Sequence, residues 1–283
     1  HPDGPSTVAS GPQTGKTLSQ VLGEHPEYLG QRHKGRDSLP ILVKFIDAKQ
    51  DLSVQVHPDD RYAQTQEGGQ LGKTEMWYVL DAGKHTKLVY GLKQDATRET
   101  VLQAARQGTL MGLLQQVPVE KDDVFFLEPG TIHALGAGAL VAEIQESSNL
   151  TYRLYDYDRV DKQGNKRPLH LEKALAVADL HSSAAPRQPM RVLRYRPGVA
   201  SELLSRCKYF EVYRMLLNTE RRQRVTYQAD ALAFRVLLCV AGCGSIRFGQ
   251  ETLLFYKGDC VFVPASSKCL TLHGQAQFLD IRG

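Results

Sequence analysis

The sequence predicts a mainly β protein with two barrels or sandwiches and a few short helices inserted and linking. Short runs rich in Val, Ile, Tyr and Phe recur along the chain, and Gly, Pro and Asp separate them. A polar turn followed by an apolar strand that ends at proline occurs at 121–129 and again at 257–264. This repeated pattern indicates a duplicated fold.

Seven strand-like runs occupy the first half of the chain. Each is short and apolar and lies between turn-forming residues, as strands of all-β domains do. They are 41–46, 53–57, 76–80, 87–90, 124–127, 140–145 and 151–156. Their spacing predicts the first barrel.

Seven further runs follow in the last third of the chain, again with glycine turns between them. They are 210–216, 231–240, 244–248, 251–256, 260–263, 268–272 and 277–281. Regularly spaced short strands of this kind predict a second barrel or sandwich.

Helical patterns interrupt the strands in few places. One covers 17–24 and another 97–106. Thr97 is suited to cap the second of these helices, and Gly108 to follow its last turn. A further short helix is predicted from Thr109, because the leucines at 110, 113 and 114 would then share a face.

The domain boundary is predicted in the small, proline-bearing stretch 182–189. The first domain would be 1–185, with a helical insertion at about 97–116 and a linker helix at about 168–180 that begins at a proline. The second domain would be 186–283.

Composition narrows the class of protein. A chain of 283 residues with 42% hydrophobic and 23% charged residues can form two globular domains. It has no run of about 18 apolar residues and no basic, apolar leader, so we expect neither membrane insertion nor secretion. The net charge of +4 comes from scattered basic residues, which argues against nucleic acid as a partner and is compatible with a small anionic substrate. Five cysteines without a Cys-x-x-Cys pair predict reduced core thiols in a cytoplasmic protein.

Four residues form the pattern of a metal site spread over three strands. Gln55 and His57 lie two apart on one strand and therefore point to the same face, whereas the valines around them point to the other. Glu75 begins an aromatic strand, and His133 follows a proline turn. Two imidazoles, a carboxylate and an amide oxygen suit zinc above other divalent ions.

A single histidine next to a strand is more often a surface or core residue than a ligand. The joint placement of these four residues favours the metal site, because the other histidines do not lie beside strands that carry further candidate ligands. Two glycine-rich stretches, 11–17 and 68–74, resemble phosphate loops but are one residue short and follow no hydrophobic strand. The sequence therefore argues against a nucleotide triphosphatase.

Four motifs resemble those of type I mannose-6-phosphate isomerases of the short bacterial form. The resemblance covers nearly the whole chain, although the family's N-terminal Trp-Gly-Gly run has no counterpart. It implies two cupin (jelly-roll) barrels, of which the second lacks metal ligands. The motifs are Val-Gln-Val-His-Pro-Asp-Asp at 54–60, Gly-Lys-Thr-Glu-Met-Trp-Tyr at 72–78, Pro-Gly-Thr-Ile-His-Ala-Leu at 129–135 and Thr-Tyr-Arg-Leu-Tyr-Asp-Tyr-Asp-Arg at 151–159.

The resemblance also implies a reaction and a set of site residues. The reaction is the interconversion of mannose 6-phosphate and fructose 6-phosphate through a zinc-stabilised cis-enediol. The family's active-site arginine and lysine match Arg153 and Lys73. The partner would be a small anionic sugar phosphate, with no nucleic acid and no membrane, and the oligomeric state stays open. One Zn²⁺ per chain would be held by Gln55, His57, Glu75 and His133.

The catalytic groups are less defined by the sequence than the metal ligands. Arg153 shares strand parity with Thr151 and Tyr155, so an inward guanidinium could bind phosphate or a developing oxyanion. The alternative is an arginine paired with a nearby aspartate at the surface. Glu143 is either a core carboxylate bonded to Arg153 or a proton shuttle, and the base is open among Glu143, Lys73 and a water at the metal.

Two other functions compete with the isomerase. A metal-dependent cupin oxygenase would prefer iron and more histidines, and Gln55 counts against it. A non-catalytic sugar-phosphate-binding cupin would be favoured by the loss of Arg153 or Lys73, and both are present.

Overall fold

The computed structural model describes residues 4–183, 193–221 and 223–283. This part of the chain contains seventeen strands, four α-helices and three 3-10 helices, so the mainly β prediction is confirmed. It divides into two compact units, which we call the central unit (Leu42–Gln188) and the terminal unit (His1–Ile41 with Pro189–Gly283). The α-helices are α1 (Leu18–Glu24), α2 (Asp60–Gln66), α3 (Arg98–Arg106) and α4 (Leu171–Val177), and the 3-10 helices are Pro26–Leu29, Gln31–His33 and Leu110–Gly112.

The central unit is built from two sheets with strand orders β1-β8-β3-β6 and β5-β4-β7-β2-β9. Paired strands within each sheet are antiparallel. The described strands form two separate sheets and do not close into one continuous barrel. The strands are β1 (Ile41–Asp47), β2 (Val54–Val56), β3 (Glu75–Ala82), β4 (Lys87–Leu92), β5 (Leu114–Pro118), β6 (Val124–Leu127), β7 (His133–Leu135), β8 (Ala139–Glu146) and β9 (Tyr152–Tyr155).

The alternation of side chains along these strands separates two cores. Between the sheets, Trp77 and Phe125 of one sheet pack in a cluster with Leu88 and Leu135 of the other. On the outer face of the five-stranded sheet, a second cluster contains the valines of β2 and joins them to residues of α3 and α4. Since Val54 and Val56 face the helices, the residues that alternate with them face the space between the sheets.

Local capping explains where the helices begin. Thr17 caps α1 through a capping box with Gln20, and Thr97 caps α3 by accepting a hydrogen bond from the Thr100 backbone N–H. Gly108 follows α3 with a positive φ of 71°, a conformation that glycine adopts without strain.

Two helix predictions need correction. The helix expected from Thr109 is only the 3-10 turn Leu110–Gly112, because the chain enters β5 at Leu114. The linker helix expected from residue 168 begins later, as α4, at Leu171. In both places the apolar spacing was also compatible with a turn or an extended start, which the periodicity could not separate.

The terminal unit is one sheet with the order β10-β11-β12-β17-β14-β15, in which β13 also pairs with β17 and β16 with β14. Its apolar core gathers side chains such as Leu237, Phe255 and Phe278. The strands are β10 (Arg194–Arg196), β11 (Val199–Arg206), β12 (Glu211–Asn218), β13 (Val225–Tyr227), β14 (Arg235–Phe248), β15 (Glu251–Tyr256), β16 (Cys260–Val263) and β17 (Leu270–Arg282).

The two longest strands were each expected as two shorter ones. Glycines suggested turns at 241–243 and 273–276, but β14 and β17 run straight through these positions side by side. A Cβ on Gly242 would lie 2.0 Å from the Gln275 carbonyl oxygen. Glycine here permits a close approach of two strands and does not mark a turn.

The N-terminal segment of the chain is grouped with the terminal unit. The Gln31 backbone N–H donates to the Ala231 carbonyl at 3.0 Å, and the Phe234 N–H donates to Leu29 at 3.3 Å. The predicted domain boundary at 185/186 lies outside the described residues, and the division into domains 1–185 and 186–283 stays a prediction.

The cysteines and helices bear on two further expectations. All five cysteines are free thiols, but Cys243, Cys260 and Cys269 are exposed, so the prediction of core thiols is wrong for these three. Cys243 lies within β14, Cys260 begins β16 and Cys269 directly precedes β17; their apolar neighbours in the sequence did not reveal this exposure. None of the helices in the described ranges has the length and hydrophobicity to cross a bilayer.

Candidate metal centre

One carboxylate and two imidazole side chains converge between the two sheets of the central unit. Glu75 is the first residue of β3 in one sheet, His133 is the first residue of β7 in the other, and His57 follows the end of β2. Their exposed fractions are 0%, 1% and 2%. Their ligand atoms all lie within 4.8 Å of one another, close enough for a single ion to bind all three.

Main-chain carbonyls orient both imidazoles. The Nδ1 atom of His57 lies 2.8 Å from the Leu150 carbonyl oxygen, and Nδ1 of His133 lies 2.8 Å from the Thr131 carbonyl oxygen. Because a carbonyl only accepts hydrogen bonds, each Nδ1 must carry the proton. Each Nε2 is then left with a free lone pair, as in metal-binding histidines.

The free lone pairs point at the carboxylate. Oε1 of Glu75 lies 3.1 Å from Nε2 of His133 and 3.7 Å from Nε2 of His57. These contacts would be ion pairs only with doubly protonated rings. Burial, and then the nearby Lys73 cation, lower the pKa of His57 to about 3, so this ring is neutral.

The result is a set of buried acceptors without enough donors. Nε2 of His57 and Oε1 of Glu75 have no hydrogen-bond partner among the described residues. Buried acceptors left in this state are costly, and a cation placed among them would satisfy all of them at once. The donor set therefore fits a divalent metal ion.

Gln55 reaches the same cluster from β2. It is paired directly with His133 in the sheet, and its amide nitrogen lies 3.4 Å from Nε2 of His133. The two ends of a glutamine amide exchange places by a half-turn of the terminal torsion, so the oxygen can occupy this position. Of the four residues expected from the sequence, three form the tight cluster, and Gln55 lies at its edge.

Lys73 supplies the positive charge that keeps Glu75 ionised. Its ammonium nitrogen is 2.9 Å from Oε2 of Glu75, and both side chains are buried. Burial alone would raise the pKa of Glu75, but Lys73 and the imidazoles outweigh it and hold that pKa well below its ordinary value. Burial alone would lower the pKa of Lys73, but Glu75 and Glu143 raise it. Lys73 is therefore a cation, and a poor base.

Glu143 is held by partners other than the one expected. Its Oε1 lies 3.2 Å from the ammonium of Lys44, and its Oε2 accepts a hydrogen bond of 3.0 Å from the Trp77 indole N–H. Of the two possibilities left open by the sequence, these contacts do not include the bond to Arg153, and the role as a proton shuttle stays a prediction. Antiparallel pairing places Glu143 opposite Trp77, two residues along β3 from Glu75.

Sequence reasoning missed Lys44. This lysine of β1 also donates to Oε1 of Gln145 at 2.5 Å, and Gln145 is paired with Glu75 in the sheet. The available signal was a lysine inside the apolar run Ile-Leu-Val-Lys-Phe-Ile at 41–46. A charge in such a strand needs a partner, but the partners lie about 100 residues further along the chain.

Arg153 lies opposite Gln55 in the register of β2 and β9, so the two side chains leave the sheet on the same face. Its Nη1 donates to the Pro168 carbonyl oxygen at 2.9 Å, and its Nε is buried without a partner among the described residues. The expected alternative, a surface pair with an aspartate, does not match these contacts, because Arg159 and Arg167 bind Asp156 instead.

Comparisons with known proteins show sequences similar to this chain over most of its length. Residues 1–86 match the family model "Phosphomannose isomerase type I, catalytic domain", and residues 201–282 match "Mannose-6-phosphate isomerase, cupin domain". The chain is 36% identical to mannose-6-phosphate isomerase ManA of Bacillus subtilis, over 98% of this chain and 85% of that one. It is also 36% identical to the mannose-6-phosphate isomerase of Streptococcus mutans, over 99% of this chain and 84% of that one.

Solved structures extend the likeness to the fold. The crystal structure of the Bacillus subtilis mannose 6-phosphate isomerase superimposes with a TM-score of 0.89 at 34% identity, covering 99% of this chain and 86% of that one. A zinc-bound mannose 6-phosphate isomerase shares the fold at 14% identity, with a TM-score of 0.77, covering 100% of this chain and 89% of that one. These matches confirm the predicted cupin fold.

Proposed function

The chain belongs to the type I mannose-6-phosphate isomerase family, and from that premise we propose that its central unit carries out the isomerisation with one bound Zn²⁺. The protein is an aldose–ketose isomerase acting on mannose 6-phosphate and fructose 6-phosphate. The observation that carries the zinc assignment is the convergence of two imidazole Nε2 atoms and one carboxylate oxygen in a buried space with too few donors.

The ligand set supports zinc above other ions. Two neutral imidazoles and one carboxylate, His57, His133 and Glu75, are typical of catalytic zinc sites, and the amide of Gln55 would add a neutral fourth ligand. A single anionic ligand leaves a net charge of about +1 on the ion and its ligands. When bound, zinc would polarise the sugar carbonyl and stabilise negative charge on its oxygen.

The protein's own groups must move a proton between two adjacent carbons. Lys73 is held as a cation beside Glu75, so we assign it to charge stabilisation and to donating hydrogen bonds. Glu143 is the nearby carboxylate that Lys73 does not neutralise by direct contact, and we propose it as the proton acceptor. Lys44 and the Trp77 indole hold its two oxygens and so fix its orientation.

Arg153 is proposed to bind the anionic end of the substrate. Its face of β9 is the one that Gln55 uses on β2, and its neighbours Arg159 and Arg167 leave the region with a positive excess around Asp156. A planar guanidinium binds a phosphate through paired hydrogen bonds, which an ammonium does not reproduce. Arg153→Lys should therefore lower kcat/KM by about tenfold or more, and unchanged steady-state kinetics would contradict this role.

The central test is a coupled assay that follows fructose 6-phosphate formation from mannose 6-phosphate. The purified protein should turn over the substrate, lose activity on chelation and regain it with Zn²⁺ but not with Mg²⁺. Activity that persists after metal analysis has shown the zinc to be gone would contradict the proposed centre. The oxygenase and the non-catalytic sugar-phosphate binder are not favoured, because this chain matches mannose-6-phosphate isomerases over most of their length.

A further inference from the structure

The segment that delivers Lys73 and Glu75 has no regular structure of its own. Residues 70–74 lie between the turn after α2 and the start of β3 without helix or strand hydrogen bonds. Yet Lys73 and Glu75 are buried. The Glu75 carboxylate must also be positioned relative to the two imidazoles with an accuracy of a few tenths of an ångström for a metal ion to bind. Something outside the segment has to fix its backbone.

Three consecutive backbone N–H groups of this segment are held from outside. The Gly72 N–H donates to Oδ1 of Asp60 at 3.0 Å, and the Lys73 N–H donates to the Pro58 carbonyl oxygen at 2.9 Å. The Thr74 N–H donates to Oε1 of Glu146 at 2.8 Å. Two of the three acceptors are side-chain carboxyl groups, one on α2 and one at the end of β8.

The approach of the segment to α2 is close. A Cβ on Gly72 would lie 2.4 Å from the backbone carbon of Asp59 and from the backbone nitrogen of Asp60. Only glycine lets the segment come near enough for its N–H to reach the Asp60 side chain. The contact is therefore built into the sequence.

Glu146 is a buried carboxyl group with a second carboxyl group as neighbour. Its exposed fraction is 1%, and its own N–H donates to the Thr74 carbonyl oxygen at 3.1 Å. Burial raises the pKa of Glu146 to about 7, the hydrogen bonds from Thr74 oppose this, and the Asp60 carboxyl adds to the rise. The two carboxyl groups hold the same segment, Asp60 at the Gly72 N–H and Glu146 at the Thr74 N–H.

We propose that Asp60 and Glu146, which we call the acidic clamp, act as positioning residues that hold Lys73 and Glu75 at the metal centre. The acidic clamp touches neither substrate nor metal ligand side chains; it acts through the backbone of residues 72–74. This inference deepens the proposed function and rests on the metal centre assigned above.

The test compares three glutamate variants by their dissociation constants for Zn²⁺, measured in competition with a chromophoric chelator. Glu146→Gln keeps an oxygen for the Thr74 N–H and offers an N–H to Asp60, so it mimics the protonated carboxyl group. Glu146→Ala removes both contacts. Glu172→Ala, an exposed glutamate on α4, is the matched control.

Glu146→Ala should bind zinc at least about tenfold more weakly than the unaltered protein, as removal of outer hydrogen-bond partners of metal ligands does elsewhere. Glu146→Gln and Glu172→Ala should bind within about twofold. Asp60→Ala is measured in parallel and should show a similar loss. The double variant Asp60→Ala with Glu146→Ala should lose less than the product of the two single effects.

If folded Glu146→Ala and folded Asp60→Ala both bind zinc as tightly as the unaltered protein does, the acidic clamp is overturned. Zinc binding by Glu146→Gln as weak as that by Glu146→Ala would also overturn it, because the glutamine keeps an oxygen for the Thr74 N–H. If Glu146→Ala does not fold, Glu146→Gln and Asp60→Ala decide the question. An unaltered protein that binds no zinc would overturn the metal centre, and the acidic clamp with it, which separates that failure from the others.

Discussion

Each unit contains a strand that pairs with two antiparallel neighbours, β3 with β6 and β8 in the central unit and β14 with β16 and β17 in the terminal unit. The residues at the start of β3 and of β14 carry opposite charges. In the central unit Glu75 pairs with Leu127 of β6 and with Gln145 of β8. In the terminal unit the residue with the matching pair of neighbours is Arg235, which pairs with Val263 and Arg282. An arginine therefore stands where the other unit has Glu75, the carboxylate of the candidate metal centre.

The exchange continues along the same sheet. Asp280 lies opposite Leu237, just as Glu143 lies opposite Trp77. Asp280 is buried, and its oxygens meet Arg235 and Arg282, each at 3.4 Å, and the Tyr227 hydroxyl at 2.6 Å. Here the protein supplies its own cations.

The comparison teaches how a duplicated fold can keep or lose a metal centre. In the central unit buried acceptor atoms of His57 and Glu75 have no hydrogen-bond partner among the described residues, which is why we propose a bound cation there. In the terminal unit a guanidinium fills the same role, and the described residues there contain no cluster of three His, Cys, Asp or Glu ligand atoms. The exchange of a carboxylate for an arginine and the lack of a matching histidine pair in the described part of the terminal unit together separate the two cases.

The largest expected effect comes from removing a ligand in the central unit. His133→Ala and Gln55→Ala should lose zinc and isomerase activity together, with zinc affinity reduced more than about 100-fold for the histidine, which exceeds the usual effect of an outer partner. The control Asp280→Asn changes a carboxylate in the corresponding sheet of the terminal unit, and this variant should bind as much zinc as the unaltered protein. Metal analysis of the purified variants measures this, and full zinc occupancy in His133→Ala would remove that residue from the ligand set.

The second effect concerns the stability of the terminal unit. Asp280→Ala leaves the partly buried Arg235 cation without its carboxylate and should lower the free energy of unfolding by about 3 kcal/mol. Zinc content should not change. Urea unfolding with Asp37→Ala, an exposed aspartate of the same unit, as control measures the loss. A loss under about 1 kcal/mol would show that the cations of the terminal unit do not depend on Asp280.

The third prediction uses Glu146, whose position in the terminal unit is occupied by Gly283. The pKa of Glu146 in the folded protein is about 7, above its ordinary value of 4.5. The folded state thus holds the proton more tightly, so this contribution is complete below pH 4.5 and is lost as the pH rises through 7. It amounts to at most about 3 kcal/mol.

Metal-free protein should therefore lose stability between about pH 4.5 and about pH 7 relative to Glu146→Gln, whose side chain does not titrate. The difference between the two unfolding free energies isolates this group from the others that titrate in the range. A difference that stays constant with pH would contradict a raised pKa for Glu146.

The smallest effect is expected at Cys239, a buried thiol of β14. Cys239→Ala should lower the unfolding free energy by about 1 kcal/mol and leave zinc content and turnover unchanged, because the residue packs in the apolar core of the terminal unit. A marked loss of activity in this variant would indicate that the two units are functionally coupled.

The fold was predictable where local patterns are strong. The strands 124–127, 251–256 and 260–263 coincide with β6, β15 and β16, because each is a short apolar run between clear turn residues. The helix α2 was not predicted, since only Tyr62 and Ala63 are apolar in Asp60–Gln66 and no helical period is visible. Its start depends on Asp59, whose side chain caps it.

The candidate site was predictable where residue types and their spacing along a strand are sufficient to identify possible ligands. The alternation of valines with Gln55 and His57 is enough to predict that these two side chains share one face of the strand. The partners of Glu143 and the acidic clamp were not predictable in this way. The bonds of Glu143 and the bond of Glu146 to Thr74 depend on sheet register between residues 66 to 99 positions apart, which a single sequence does not encode locally.

Both imidazoles are aimed by main-chain carbonyl groups, those of Leu150 and Thr131. Every amino acid carries such a carbonyl, so the identity of the side chain at either position is free to drift during evolution while the aim of the rings is inherited. Variation at positions 150 and 131 among relatives would therefore be no sign that these positions are dispensable.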